Sequence, residues 1–129
     1  MKITAMHVNT INPDILDVLR KRVTKGRNVL VKKFGKDYVK KINPDKLYMS
    51  EFDGCILGQT FGEYSKGVAR LTHKAPNSDD AIMWGINHGF LIHSFDSAFD
   101  PALLDANIFQ LYSVLGELWR EQMIKDSKS

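Results

Sequence analysis

The chain has 129 residues, 43% hydrophobic and 26% charged, the size and balance of one domain built around one apolar core. No run of 18 apolar residues occurs, which excludes a membrane-spanning helix, and the Met1 to His7 start lacks the apolar stretch of a signal peptide, so a cytoplasmic protein is expected. The formal net charge of +3 hides a segregation: Arg20 to Lys46 holds eleven Lys or Arg residues against Asp37 and Asp45 alone, leaving the rest of the chain net acidic.

Residues 1–11 have room for a short strand at most. Asn12-Pro13-Asp14 then reads as a helix start, with a capping side chain, a proline at the first helical position and an acid at the positive end of the dipole. Ile15, Leu16, Leu19, Val23, Leu30 and Phe34 recur every three or four residues and form one apolar stripe ending at Gly35. Gly26 falls inside that stripe and is a candidate break. Lys21, Lys25, Lys32 and Lys36 recur on another face as a row of ammonium groups. Asn43-Pro44-Asp45 interrupts the pattern and predicts a loop.

Ser50-Glu51-Phe52-Asp53 resembles a capping box, so the next helix is predicted to open at Ser50. Gly54, Gly58 and Gly62 recur every four residues; helical glycine costs about 1 kcal/mol, and a tight crossing against another helix would offset that. Tyr64, Val68 and Leu71 either continue this helix or form another after a break at Gly62 or Gly67. Ser78-Asp79-Asp80 caps a short helix that carries Ala81, Ile82, Met83, Trp84 and Ile86, and His88-Gly89-Phe90 matches a left-handed C-terminal cap. Asp100-Pro101 is the predicted opening of the last helix, whose Leu104, Ile108, Leu111, Tyr112, Leu115, Leu118 and Trp119 make the strongest amphipathic pattern. Lys125 to Ser129 reads as a frayed tail. The expected architecture is all-α: a compact bundle of four or five helices in a single domain, residues 1–129.

The segment Cys55-Ile56-Leu57-Gly58-Gln59-Thr60-Phe61-Gly62-Glu63-Tyr64, with His88-Gly89-Phe90 and the terminal Tyr112 to Trp119, resembles a family of small proteins from bacteriophages and Gram-positive bacteria. Its members pair a Cys-x-Leu-Gly-Gln-x-Phe/Tyr-Gly-x-Tyr segment with a downstream Gly-Phe and a tryptophan-bearing helix. The likeness spans residues 29–121; the very basic first helix and the insertion-like Lys74 to Asp80 depart from it. The resemblance implies a phage or prophage origin. With it comes a non-catalytic binding protein acting in the host cytosol, as a counter-defence factor, on a host protein, another host macromolecule or a small signalling nucleotide.

The residues offer their own candidates. Clustered Lys21, Lys25, Arg27, Lys32, Lys33 and Lys36 attract phosphates, which makes a DNA- or RNA-binding regulator the alternative, although charge runs on helices are most often solvated faces. Gln59, Tyr64, Trp84 and His88 are the uncharged candidates for a ligand pocket, with helix-to-helix hydrogen bonding as the other role of Gln59 and Tyr64. Cys55 with His73 or His88 is the third reading, a small enzyme, against which a lone cysteine among glycines is expected to be a buried hydrophobe. A zinc site from His88, His93, Asp96 and Asp100 lacks the spacing of a helical metal motif, and no phosphate-binding glycine loop occurs, so no cofactor is expected. Nothing in composition or pattern excludes self-association.

Overall fold

A computed structural model describes residues 11–92 and 107–128, and among these every regular element is helical, so the fold is all-α. The strand considered for residues 1–11, apart from Ile11, lies outside the described residues, as do Asp100-Pro101 and Leu104. None of the described helices is long and apolar enough to cross a membrane.

Helix α1, Pro13–Phe34, begins as its sequence predicts: Asn12 accepts a hydrogen bond from the Asp14 amide at 2.8 Å, and Pro13 fills the first turn. It runs unbroken past Gly26 to Gly35, whose φ of 73° ends it. Two short 3₁₀ segments follow, Lys36–Lys41 and Pro44–Lys46, the first of which buries Tyr38. The predicted helix start at Ser50 is not found. Tyr48 to Gly54 form a turn closed by Tyr48 N–H to Gly54 O at 3.0 Å, and α2 spans only Ile56–Phe61, with Cys55 as its cap. Helix α3, Tyr64–Thr72, follows after Gly62, at φ 97°, stops α2. Helix α4, Asp79–Asn87, is capped by Ser78. Its end has the predicted left-handed form: Phe90 N–H reaches Gly85 O at 2.9 Å and Gly89 N–H reaches Ile86 O at 3.2 Å, with Gly89 at φ 71°. Helix α5, Ile108–Ser127, is capped by Asn107 through the Phe109 and Gln110 amides.

Helix α1 packs on α5, α2 packs on α3, and α4 contacts both α1 and α3. The core is built on Leu19 and Leu30 of α1, Tyr38, Ile56 and Leu57 of α2, Val68 of α3, Ile86 of α4, Phe90, and Val114, Leu115 and Trp119 of α5. Ile108, read from the sequence as part of the apolar stripe, is exposed. The frayed tail is also corrected: α5 stays helical to Ser127 and buries Asp126.

The glycines are used differently from their sequence reading. Gly54, Gly58 and Gly62 do not meet α5. A Cβ at Gly58 would collide with the carbonyl of Phe52 and lie 2.7 Å from the Asp53 backbone, so its close neighbour is the preceding turn, while Gly62 faces open space and serves its positive φ. The close approach occurs at Gly26. A Cβ there would overlap the His88 carbonyl oxygen and lie 2.9 Å from Trp119 Cζ2 and 3.1 Å from Phe90 Cζ. In an exposed helix Gly→Ala gains up to about 1 kcal/mol. At Gly26 overpacking of about 1–3 kcal/mol opposes and exceeds that gain. Gly26→Ala is therefore expected to destabilise the fold, whereas Gly116→Ala in α5, where a Cβ would meet nothing nearer than 3.7 Å, should stabilise it slightly. Urea titration of the two variants checks the opposite signs.

Candidate functional site

The basic segment read as one patch is divided by the fold into four environments. Lys21, Lys25 and Lys32 of α1 are all exposed; Lys21 pairs with Asp17 at 3.1 Å. Arg27 is engaged differently. Its guanidinium grips Asp126 of α5 through Nε at 3.0 Å and Nη2 at 2.8 Å, so its charge is committed to holding α1 against α5. Lys36, past the end of α1, is exposed on the first 3₁₀ segment. Lys33 turns toward α3.

Asp126 also accepts from Tyr38 Oη at 2.6 Å and from Gln122 Nε2 at 3.3 Å. Burial pushes the carboxyl upward in pKa, but the hydrogen bonds from Arg27, Tyr38 and Gln122 and the Arg27 charge outweigh burial and hold it below its ordinary 3.8. Burial first, and the bond to Asp126 second, raise the Tyr38 hydroxyl far above its ordinary range.

The uncharged candidates separate as well. Gln59 takes the structural alternative: its Oε1 accepts from the Asn43 amide at 2.6 Å and its Nε2 donates to Asn43 O and Gly54 O, both at 3.2 Å, tying α2 to the turns before it. The Tyr64 hydroxyl sits against Gly85, buried, and finds no hydrogen-bond partner among the described residues. Burial raises its pKa, as do the neighbouring Cys55 and Tyr112. Trp84 and His88 stack at 4.5 Å, and Trp84, Phe90 and Trp119 continue that stack into the core. His88 Nδ1 lies 2.7 Å from Trp84 O; a carbonyl can only accept, so Nδ1 carries the proton. Burial lowers the His88 pKa, and the nearby Lys25 lowers it further. Lys25, Trp84 and His88 thus lie near one another.

Cys55 is 2% exposed, and its Sγ accepts from the Gly58 amide at 3.3 Å as the cap of α2. Burial pushes its thiol pKa up, the reverse of what a nucleophile needs. His93, Asp96 and Asp100 lie outside the described residues, and among those described no group of three His, Cys, Asp or Glu side chains is placed to hold a metal ion.

The concave feature that the sequence reading missed is a groove of about 710 Å³ between the end of α1 and α3, extended by α2. Lys33, Lys66, Arg70 and His73 supply its basic side chains, and Phe34, Phe61, Ala69 and Thr60 its less polar floor. The rings of Phe34 and Phe61 meet at 5.6 Å, and Lys41 Nζ stands 4.9 Å over Phe34. Lys33, Lys66 and Arg70 have no carboxylate partner among the described residues. Lys66, Arg70 and His73 follow one another at four- and three-residue steps, a helical face legible in the sequence but outside the dense basic run. Three helix C-termini, those of α1, α2 and α3, adjoin the groove and contribute up to about half a negative charge each. Three permanent cations and Lys41 exceed that, so the groove is net positive.

Comparison with protein-family models, with curated proteins and with solved structures finds no match to this chain.

The Asp126 cluster gives a signed pH prediction. Because the folded carboxyl has a lowered pKa, its stabilisation is full above the unfolded value near 3.8 and is lost as pH falls below it toward the folded value. Asp126→Asn should cost about 3 kcal/mol at neutral pH by leaving Arg27 without its counter-charge, and the gap from the parent should narrow below about pH 4. Lys21→Gln should stay within about 0.5 kcal/mol of the parent throughout. Denaturant titrations at a series of pH values compare the three.

Proposed function

We propose that the chain is a non-catalytic binding protein that recognises a phosphate-bearing partner, a nucleotide or a nucleic acid of the host, through the groove between α1 and α3. The observation that carries this reading is the set Lys33, Lys66 and Arg70, three cations without a carboxylate partner among the described residues, gathered around an aromatic floor. Solvated charge on a convex face is screened within about 8–10 Å. In a concavity with apolar walls the same charges act together on one ligand. The volume falls within the range of small-molecule sites, and a nucleotide fits the pairing of phosphate-seeking cations with a flat apolar surface.

The host cytosol and a counter-defence role enter this proposal from the resemblance of the Cys55 to Tyr64 segment to phage proteins. The alternative, a regulator that lays the whole 20–46 segment on DNA or RNA, loses support from the way the fold divides that segment: Arg22 is buried and Arg27 is bound to Asp126. A buried, capping Cys55 with a raised pKa argues against the enzyme reading.

Tripolyphosphate and nucleoside triphosphates should raise the melting temperature of the parent, since a ligand present at a hundred times its Kd stabilises by about 2.7 kcal/mol. The double variant Lys66→Gln/Arg70→Gln, which keeps good helix formers, should fold with near-parental stability and lose that rise. A rise of equal size in both proteins would overturn the groove as the site.

A further inference from the structure

We infer that the groove takes a single-stranded nucleic acid in an extended form, with successive phosphates on Lys33, Lys66 and Arg70 and an unpaired base against the Phe61 ring. This rests on the phosphate-binding reading and narrows it. The cations come from two helices, Lys33 from α1 and Lys66 and Arg70 from α3. Lys66 and Arg70 stand one turn apart on α3, about 6 Å along its axis at 1.5 Å of rise per residue, His73 follows as the left-handed C-cap of that helix, and Lys33 lines the groove from α1. Cations so placed match a repeating backbone better than a compact anion.

The floor selects between strands and duplexes. Phe34 and Phe61 are partly buried, and the two rings line the groove together with the basic side chains. An aromatic face gains from contact with a nucleobase only when the base is unstacked and unpaired, as in sequence-tolerant single-strand binders. In a duplex both faces of each base are occupied by neighbours, so a duplex would use the cations and leave the rings unused. Lys41, held over Phe34, continues the positive wall toward the first 3₁₀ segment. DNA and RNA share this chemistry, and both are included in the test.

The decisive measurement is fluorescence anisotropy of the full chain with end-labelled oligo-dT and oligo-U of about ten nucleotides, a length within the range of known single-strand sites. Competitors are a duplex, a nucleoside triphosphate and an acidic peptide. The parent should bind the strands at least tenfold more tightly than the duplex. Lys66→Gln/Arg70→Gln should weaken strand binding tenfold or more and flatten the salt slope by about 0.7 for each phosphate that is no longer neutralised. Phe61→Leu should weaken the strand about fivefold or more by removing the stacking face and leave the salt slope unchanged, a signature that charge alone does not produce. Lys21→Gln/Lys25→Gln, outside the groove, should change little. Binding of the triphosphate without binding of either strand would overturn this inference and leave the phosphate reading standing. Equal affinity for strand and duplex with no effect of Phe61→Leu would overturn it too, as would displacement of the labelled strand by the acidic peptide at concentrations below those at which the unlabelled strand displaces it. Failure of every phosphate compound to bind would end both readings.

Discussion

The fold depends on one close approach, the seating of the His88-Gly89 backbone in the gap that Gly26 leaves on α1. Three helices converge there. The end of α4 presses its His88 carbonyl against Gly26, a Cβ on Gly89 would lie 3.0 Å from the Arg22 and Val23 backbone, and Trp119 of α5 donates its indole N–H to Gly89 O at 2.7 Å. The indole is fully buried, so that hydrogen bond also removes the cost of desolvating a donor. Phe90 and Trp84 stack beyond it, so the corner combines apolar area, ring stacking and a satisfied polar group in one place.

With α1, α4 and α5 fixed in this way, the Arg27 and Asp126 pair, beside Gly26 on α1 and beyond Trp119 on α5, adds a polar tie between the long helices. Asp126 would be a poor choice for a buried position if it stood alone. Here three donors, from Arg27, Tyr38 and Gln122, converge on its oxygens and make the ionised form the favoured one. Arg120 plays a similar role for the loops, donating to Pro44 O at 3.1 Å and Leu47 O at 2.8 Å while paired with Glu117. The α1 to α3 groove is thus made by elements whose positions are set elsewhere: Phe34 and Lys33 by the α1 axis, and Lys66 and Arg70 by the α2 and α3 pair that Gln59 ties down.

Sequence reading succeeded where the deciding forces are local. The Asn12-Pro13 start, the Ser78 cap and the His88-Gly89-Phe90 stop each depend on contacts within a few residues, and each appears as read. It failed where a residue's role is set by what approaches it from afar. Gly26 looked like a helix breaker and the Gly54, Gly58 and Gly62 series like a crossing. Glycine spacing records a need for room without naming the visitor, which is His88 in one case and the adjacent turn in the other. Ser50 has capping chemistry, but Cys55, with a weaker acceptor, caps the helix that forms. The same limit explains the groove. A run of charges measures density along the chain, so it drew in Arg27, which is consumed by Asp126, and passed over Lys66 and Arg70, which share a groove with Lys33 only in the folded chain.

The Arg27 and Asp126 pair joins residues 99 positions apart, and the Trp119 contact to Gly89 comes nearly as late in the chain. On a ribosome adding about 5–20 residues per second, the apolar face of α1 waits some 5–20 seconds for the helix that covers it. Leu19, Leu30 and Val23 are therefore open to holdase chaperones throughout synthesis. Exposed lysines on that helix would oppose its aggregation in the interval, since like charges repel, a consequence separate from anything the finished protein binds.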